Sequence, residues 1–105
     1  MKKFNRREFL NLAQILKAMA HPTRLFIIRQ LAKREHCVCE LKDMVGADMS
    51  TISKHLSLLK EAGLIWDDKR KNKVFYTLRC PCVLQFLDCL ECELNKIHDL
   101  RKSLS

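Results

Sequence analysis

Glycine and proline are scarce, with two of each in 105 residues. A fold built from many short strands needs such residues at its turns, so their shortage argues against an all-β architecture. The same shortage excludes a glycine-rich loop wrapped around a phosphate. No apolar run approaches the ~20 residues that a membrane-spanning helix requires. The basic opening, Met1-Lys2-Lys3-Phe4-Asn5-Arg6-Arg7-Glu8, leads into no apolar signal core or small-residue cleavage site. A soluble cytoplasmic protein with no membrane partner is therefore expected. The length suits one domain over residues 1–105 and is too short for a large catalytic architecture.

Positive charge and sulfur are in surplus. Twenty Lys and Arg stand against twelve Asp and Glu, a formal net charge of +8. Such an excess in a small domain points to a polyanionic partner, most often nucleic acid. There are also six cysteines. Without a secretory signal they are not expected to form a disulfide framework. They read instead as small buried hydrophobes or as ligands and reactive thiols.

Apolar spacing divides the chain into helices and one hairpin. Phe9, Leu12, Ala13, Leu16 and Ala20 recur at three and four, which predicts a helix over about residues 6–20. Leu10 and Ile15 lie off that stripe. A helix apolar on more than one side suggests a partner, such as a second copy of the chain. Pro22 suits the first turn of a second helix, reaching about residue 34, with Leu25, Ile28, Leu31 and Ala32 inward. His21 is placed to cap or pack at the junction.

A short helix over about residues 39–45 ends at Gly46. The next spans about residues 48–62, with Asp48 as N-cap, Ile52, Leu56 and Leu59 inward, and Gly63 as its stop. Residues 64–66 and 74–78 read as two strands joined by a polar loop over residues 67–73. Trp66 and Tyr76 read as packing within that hairpin. A last helix is expected over about residues 81–102, its stripe made by Val83, Phe86, Leu87, Leu90, Leu94 and Ile97. Two helices around a glycine-containing turn, followed by a basic hairpin, describe a winged helix-turn-helix. The expected class is mainly α with a small β-hairpin (α+β).

The helix after Asp48 is the expected recognition helix. Its outer side carries Ser50, Thr51, Ser53, Lys54 and Ser57, with His55 beside them. Short hydroxyls let a helix end approach base edges and phosphates closely, and the helix dipole favours the anion. Lys69, Arg70, Lys71 and Lys73 at the hairpin tip suit a wing gripping phosphate, tempered by Asp67 and Asp68.

Three blocks resemble the ArsR/SmtB-type metalloregulatory repressors. They are Leu16-Lys17-Ala18-Met19-Ala20-His21-Pro22-Thr23-Arg24, Cys37-Val38-Cys39-Glu40-Leu41, and the run from Ser50 to Leu64. The resemblance covers nearly the whole chain, and the last block is the most specific. It implies a homodimer joined through the first and last helices, seated on operator DNA until an inducer releases it. The Cys37/Cys39 pair resembles the family's arsenical-sensing motif. Arsenic-sensing members carry a third Cys three residues after the second, where this chain has Lys42.

Soft ions such as As(III), Cd(II), Pb(II) or Zn(II) want several thiolates. Cys82, Cys89 and Cys92 share one face of the last helix, beside its apolar stripe. Cys80 and Cys82 sit at its start, where the dipole lowers a thiol pKa. The family's usual last-helix zinc spacing is not matched by Asp88, Glu91 and His98. The candidate metal residues are therefore Cys37, Cys39, Cys80, Cys82, Cys89 and Cys92, with the choice among them open. His36 and His98 are further possible ligands, though a solvated histidine is the plainer reading. A redox switch on the same fold, with disulfides at Cys80/Cys82 or Cys89/Cys92, is the alternative. An enzyme is not expected, because no nucleophile is paired with a base in a recognisable motif.

Overall fold

The computed structural model describes residues 3–104; Met1 and Lys2 of the basic opening, and Ser105, lie outside the described residues. The elements run α1 (Arg6–Met19), α2 (Pro22–Lys33), β1 (His36–Cys37), α3 (Val38–Val45), α4 (Met49–Glu61), β2 (Ile65–Arg70), β3 (Lys73–Leu78) and α5 (Val83–Leu104). The five expected helices all form, each within a few residues of its expected ends. No helix among the described residues is long and apolar enough to cross a membrane.

Local punctuation explains the helix ends. Asn5 accepts the Arg7 N–H at 3.1 Å, His21 Nδ1 accepts the Thr23 N–H at 3.1 Å, and Asp48 accepts the Thr51 N–H at 2.8 Å. Each removes one orphan donor from a first turn. Gly46 ends α3 with φ +76°. After α4, Gly63 takes φ +78°, its N–H reaches the Lys60 carbonyl, and the Leu64 N–H reaches the Leu59 carbonyl. That pair of bonds is a Schellman stop, which turns the chain directly into β2.

The hairpin is longer than the sequence pattern implies. Residues 67–70, expected as loop, continue β2, and only Lys71 and Asn72 turn. Lys71 takes φ +54° there. The polar run lacks apolar alternation, but every one of its residues from Asp67 to Arg70 pairs with β3. A third strand, β1, pairs antiparallel with β3, so the order is β1-β3-β2. Pro81 and Cys82, expected as the first residues of the last helix, form a turn with Cys80 before α5.

The core gathers Ile27, Ile28 and Leu31 of α2, Leu41 of α3, Ile52, Leu56 and Leu59 of α4, then Leu64, Ile65 and Leu87. In α2 the buried stripe is centred one residue from its expected place: Ile27 is inside and Ala32 is exposed. The apolar stripes of α1 and α5 are left largely outside, with Phe9 56% and Leu94 64% exposed.

The α2–α4 junction is polar and sets how α4 sits. Arg24 of α2 donates to the Ala18 carbonyl and, through Nη1, to His55 Nδ1 at 3.1 Å. The His21 and His55 rings lie 4.6 Å apart. Burial, then His21, then Arg24, push the His55 pKa below its ordinary value of 6.5. The unfolded chain therefore binds this proton more readily than the folded one.

Two outcomes follow from this packing. Leu56→Ala, at a site only 1% exposed, should cost ~2–5 kcal/mol in urea unfolding. Leu58→Ala, one turn-face away and 44% exposed, should stay within ~0.5 kcal/mol. For His55, stability is complete above its ordinary value of 6.5 and declines as pH falls below it. Thermal melts from about pH 7.5 to about pH 5.5 should show a smaller decline in His55→Gln, which keeps an acceptor for Arg24 but cannot charge.

Candidate nucleic-acid interface and thiol sites

The stop at Gly63 and the cap at Asp48 fix the length of α4, and its buried stripe fixes which side faces out. Ser50, Thr51, Ser53, Lys54 and Ser57 are all exposed on it. His55 is half-buried and turned toward Arg24 and His21. Asp48 also accepts the Ser50 hydroxyl at 3.1 Å. The Thr51 N–H is the main cause of the lowered Asp48 pKa, followed by the Thr51 and Ser50 side chains. The α4 N-terminus thus projects a hydroxyl-rich surface that carries Lys54 and the Asp48 cap.

The wing is tied to the body on both sides. Lys60 of α4 bonds Asp67 at 2.9 Å. Arg70 bonds Asp68 through Nε at 2.9 Å and both Glu35 oxygens through Nη1 and Nη2, at 2.7 and 2.8 Å. Its guanidinium also lies 4.8 Å from the centre of the Phe75 ring. Of the four expected wing cations, Arg70 alone is engaged by acids. Among the described residues no carboxylate pairs with Lys69, Lys71 or Lys73, and all three are exposed. Trp66 is exposed and carries the Arg79 guanidinium 4.8 Å from its ring centre.

The two members of the Cys37/Cys39 pair differ in surroundings. Cys37 is 4% exposed and is the N-cap of α3, while Cys39 is exposed. Glu40 accepts the Cys37 N–H at 3.3 Å, with the Cys37 side chain facing the N–H of Glu40 in return. This is a capping box with sulfur where Ser or Thr usually stands. Glu40 also bonds Arg34 at 2.8 Å and His36 Nδ1 at 3.2 Å. Arg34 foremost, then the Cys37 N–H and His36, bring the Glu40 pKa down to about 2. His36 is itself buried, and its Nε2 lacks a partner.

Of the other four cysteines, Cys80 and Cys82 lie in the turn before α5 and Cys89 and Cys92 on α5 itself. The Cys80 thiol donates to the Gly63 carbonyl at 3.5 Å, whereas Cys82, Cys89 and Cys92 are exposed. Arg29 of α2 grips Asp88 at 2.8 Å and Glu91 at 3.0 Å, holding this part of α5 against the body. Among the described residues no three His, Cys, Asp or Glu side chains form a metal-holding group. The donor type suits soft ions, but the described residues of a single chain do not assemble a complete set in this arrangement.

Spacing alone gave no notice of Glu35 or Arg24, whose partners Arg70 and His55 lie far along the chain, or of Arg34, which bonds the nearby Glu40. The role of Glu40 was missed as well, although an acid three residues after Cys37 has the capping-box spacing and could have revealed it.

A family model described as "Bacterial regulatory protein, arsR family" matches residues 21–66, from the α2 cap into β2. The arsenical resistance operon repressor of Escherichia coli is 41% identical over 102 residues, covering 92% of this chain and 87% of that protein. The transcriptional repressor SmtB of Mycobacterium tuberculosis is 37% identical over 73 residues, covering 69% of this chain. The chain spans about half the length of that relative, 54%. The crystal structure of NolR from Sinorhizobium fredii superposes with a TM-score of 0.76 at 31% identity, covering 86% of this chain and 93% of that one. With the helix-turn-helix, the wing and these likenesses in agreement, the chain belongs to the arsR family of bacterial regulatory proteins, a family of regulators and not of enzymes.

Proposed function

We propose that this protein is a transcriptional repressor that binds operator DNA as a homodimer and lets go when its cysteines are occupied by a thiophilic metal or metalloid ion. The observation that carries the DNA reading is the exposed row Ser50, Thr51, Ser53, Lys54 and Ser57 beside three unpaired wing lysines. In this reading the α4 row enters the major groove, with His55 holding the helix against Arg24 behind it. Lys69, Lys71 and Lys73 neutralise phosphates.

The dimer reading rests on the uncovered stripes of α1 and α5. Phe9, Leu12 and Leu16 on one helix, and Phe86, Leu90, Leu94 and Ile97 on the other, are exposed in a single protomer. Apolar surface of that extent is stabilised by burial against a like surface. A symmetric pair presents α4 twice, as two half-sites require.

The inducer reading rests on the six thiols. As(III), Cd(II), Pb(II) and Zn(II) are the candidate ions. Cys37 and Cys39 offer one pair, and Cys80, Cys82, Cys89 and Cys92 could complete it within or across a dimer. A geometry favoured by thiolate ligation and less suited to DNA would typically weaken binding through ~1–3 kcal/mol of coupling. A redox reading is favoured by one observation, that Cys89 and Cys92 are both exposed and three residues apart on α5.

The test measures affinity for promoter fragments, with and without arsenite or Cd(II), alongside sedimentation for oligomeric state. Release by the ion that disappears in Cys37→Ser/Cys39→Ser or in Cys89→Ser/Cys92→Ser is expected and identifies the pair. Affinity indifferent to every ion but lowered by mild oxidant selects the redox reading. A monomer that ignores all duplexes at low salt removes the repressor itself. A second expectation concerns the wing. Replacing Lys69, Lys71 and Lys73 by Ala should flatten the dependence of log K on log salt by about 0.9 for each phosphate that is no longer neutralised. An unchanged slope excludes the wing from the interface.

A further inference from the structure

The wing and the Cys37 turn are parts of one sheet. Cys37 of β1 pairs with Phe75 of β3, and Phe75 pairs with Asp68 of β2, so the three form one row across it. Arg70 lies over the middle of that row, with its guanidinium 4.8 Å from the Phe75 ring centre. From there it reaches Asp68 at one end and Glu35, two residues before Cys37, at the other. The Glu35–Arg70 pair is bidentate, the geometry in which an exposed ion pair contributes most.

Segment 34–40 is a closed unit. Arg34 bonds both the Glu35 carbonyl at 2.9 Å and the Glu40 carboxylate at 2.8 Å. Glu40 in turn holds His36 and the Cys37 N–H. With its sulfur enclosed at the head of α3, Cys37 cannot move outward unless the Glu40 cap opens. Because Glu35 belongs to the same short segment, such a movement bears directly on its grip on Arg70.

We propose that Glu35 is a positioning residue: through Arg70 it pins the wing to the Cys37 turn, so that opening of the turn and seating of the wing on a polyanion are coupled. Arg70 then acts as the link within the protein, and the neighbouring lysines are the cations left for phosphate. This inference rests on the wing's role in the proposed function and assigns a route of regulation to it. Coupling is reciprocal, so a duplex that orders the wing also protects Cys37.

The experiment follows alkylation of each cysteine by iodoacetamide in the reduced full chain, mapped by mass spectrometry. Cys92, exposed in the single chain, calibrates reagent reactivity. Cys80, half-buried with its thiol on the Gly63 carbonyl, reports general loosening. In Glu35→Gln and in Arg70→Gln the Cys37 rate should rise about threefold to fivefold, while Cys80 stays unchanged. The double variant should be no faster than the faster single one, since both remove the same ion pair.

Adding a short mixed-sequence duplex at low salt should slow Cys37 alkylation in the parent chain but not in Arg70→Gln. An unchanged Cys37 rate in both single variants overturns the clamp, as does a rise matched by Cys80. A duplex that binds by anisotropy yet leaves the Cys37 rate untouched overturns the coupling. A duplex that does not bind overturns the DNA reading instead, and the rates in free protein still decide the clamp.

Discussion

Six side chains, Ile27, Ile28, Leu41, Ile52, Leu56 and Leu59, are almost completely withdrawn from solvent, and α4 supplies three of them. The burial of one α4 face against α2 and α3 is the interaction on which everything else in the molecule depends. It sets the rotation of the helix, and thereby sends Ser50, Thr51, Ser53, Lys54 and Ser57 outward together. A core of this kind is close-packed and poorly tolerant of volume change, so the outward row is presented by a stiff support. The polar junction of Arg24, His55 and His21 adds direction to that support, because a hydrogen bond fixes an orientation where apolar packing does not.

A small chain cannot cover all of its apolar surface. Here the shortfall is concentrated: α1 buries only Ala18 and Met19, at its end nearest α2, and among the described residues of α5 only Leu87 is buried. The uncovered stripes therefore lie on the first and last helices. The molecule thus carries surfaces of two characters, an apolar one on α1 and α5 and a basic one at the hairpin tip. The exposed cysteines of α5 lie beside the apolar stripe, while Cys37 belongs to the basic side through its sheet.

Features written in local residue order were legible in the sequence. The Asp48 cap, the Gly46 and Gly63 stops and the three-four spacing of Ile52, Leu56 and Leu59 each act within one or two helical turns. The outward row of α4 followed from them, as did the winged helix-turn-helix order. The features that escaped depend on partners distant in sequence. Strand β1 is two residues long, too short for any period, and exists because Phe75 and Tyr76 offer it an edge. Asp67 to Arg70 carry no apolar alternation, and they extend because Lys73 to Tyr76 give them a strand to pair with. Spacing could place Cys37 beside Cys39 but could not tell that one is enclosed and the other exposed.

The placement of acids explains how a wing with two aspartates remains basic. Asp67 is occupied by Lys60 from α4, and Asp68 by Arg70, which Glu35 also holds. The pKa directions agree with the geometry: Lys60 and Arg70 hold the carboxyls of Asp67 and Glu35 below their ordinary values. These pairs are exposed, so each contributes little to stability. Their larger effect is on where charge is available. They anchor β2 at Asp67 and Arg70 while the tip keeps Lys69, Lys71 and Lys73 unneutralised. Salt bridges that would be minor as sources of folding energy thus decide which cations a polyanion meets, and which instead connect the wing to the turn that encloses Cys37.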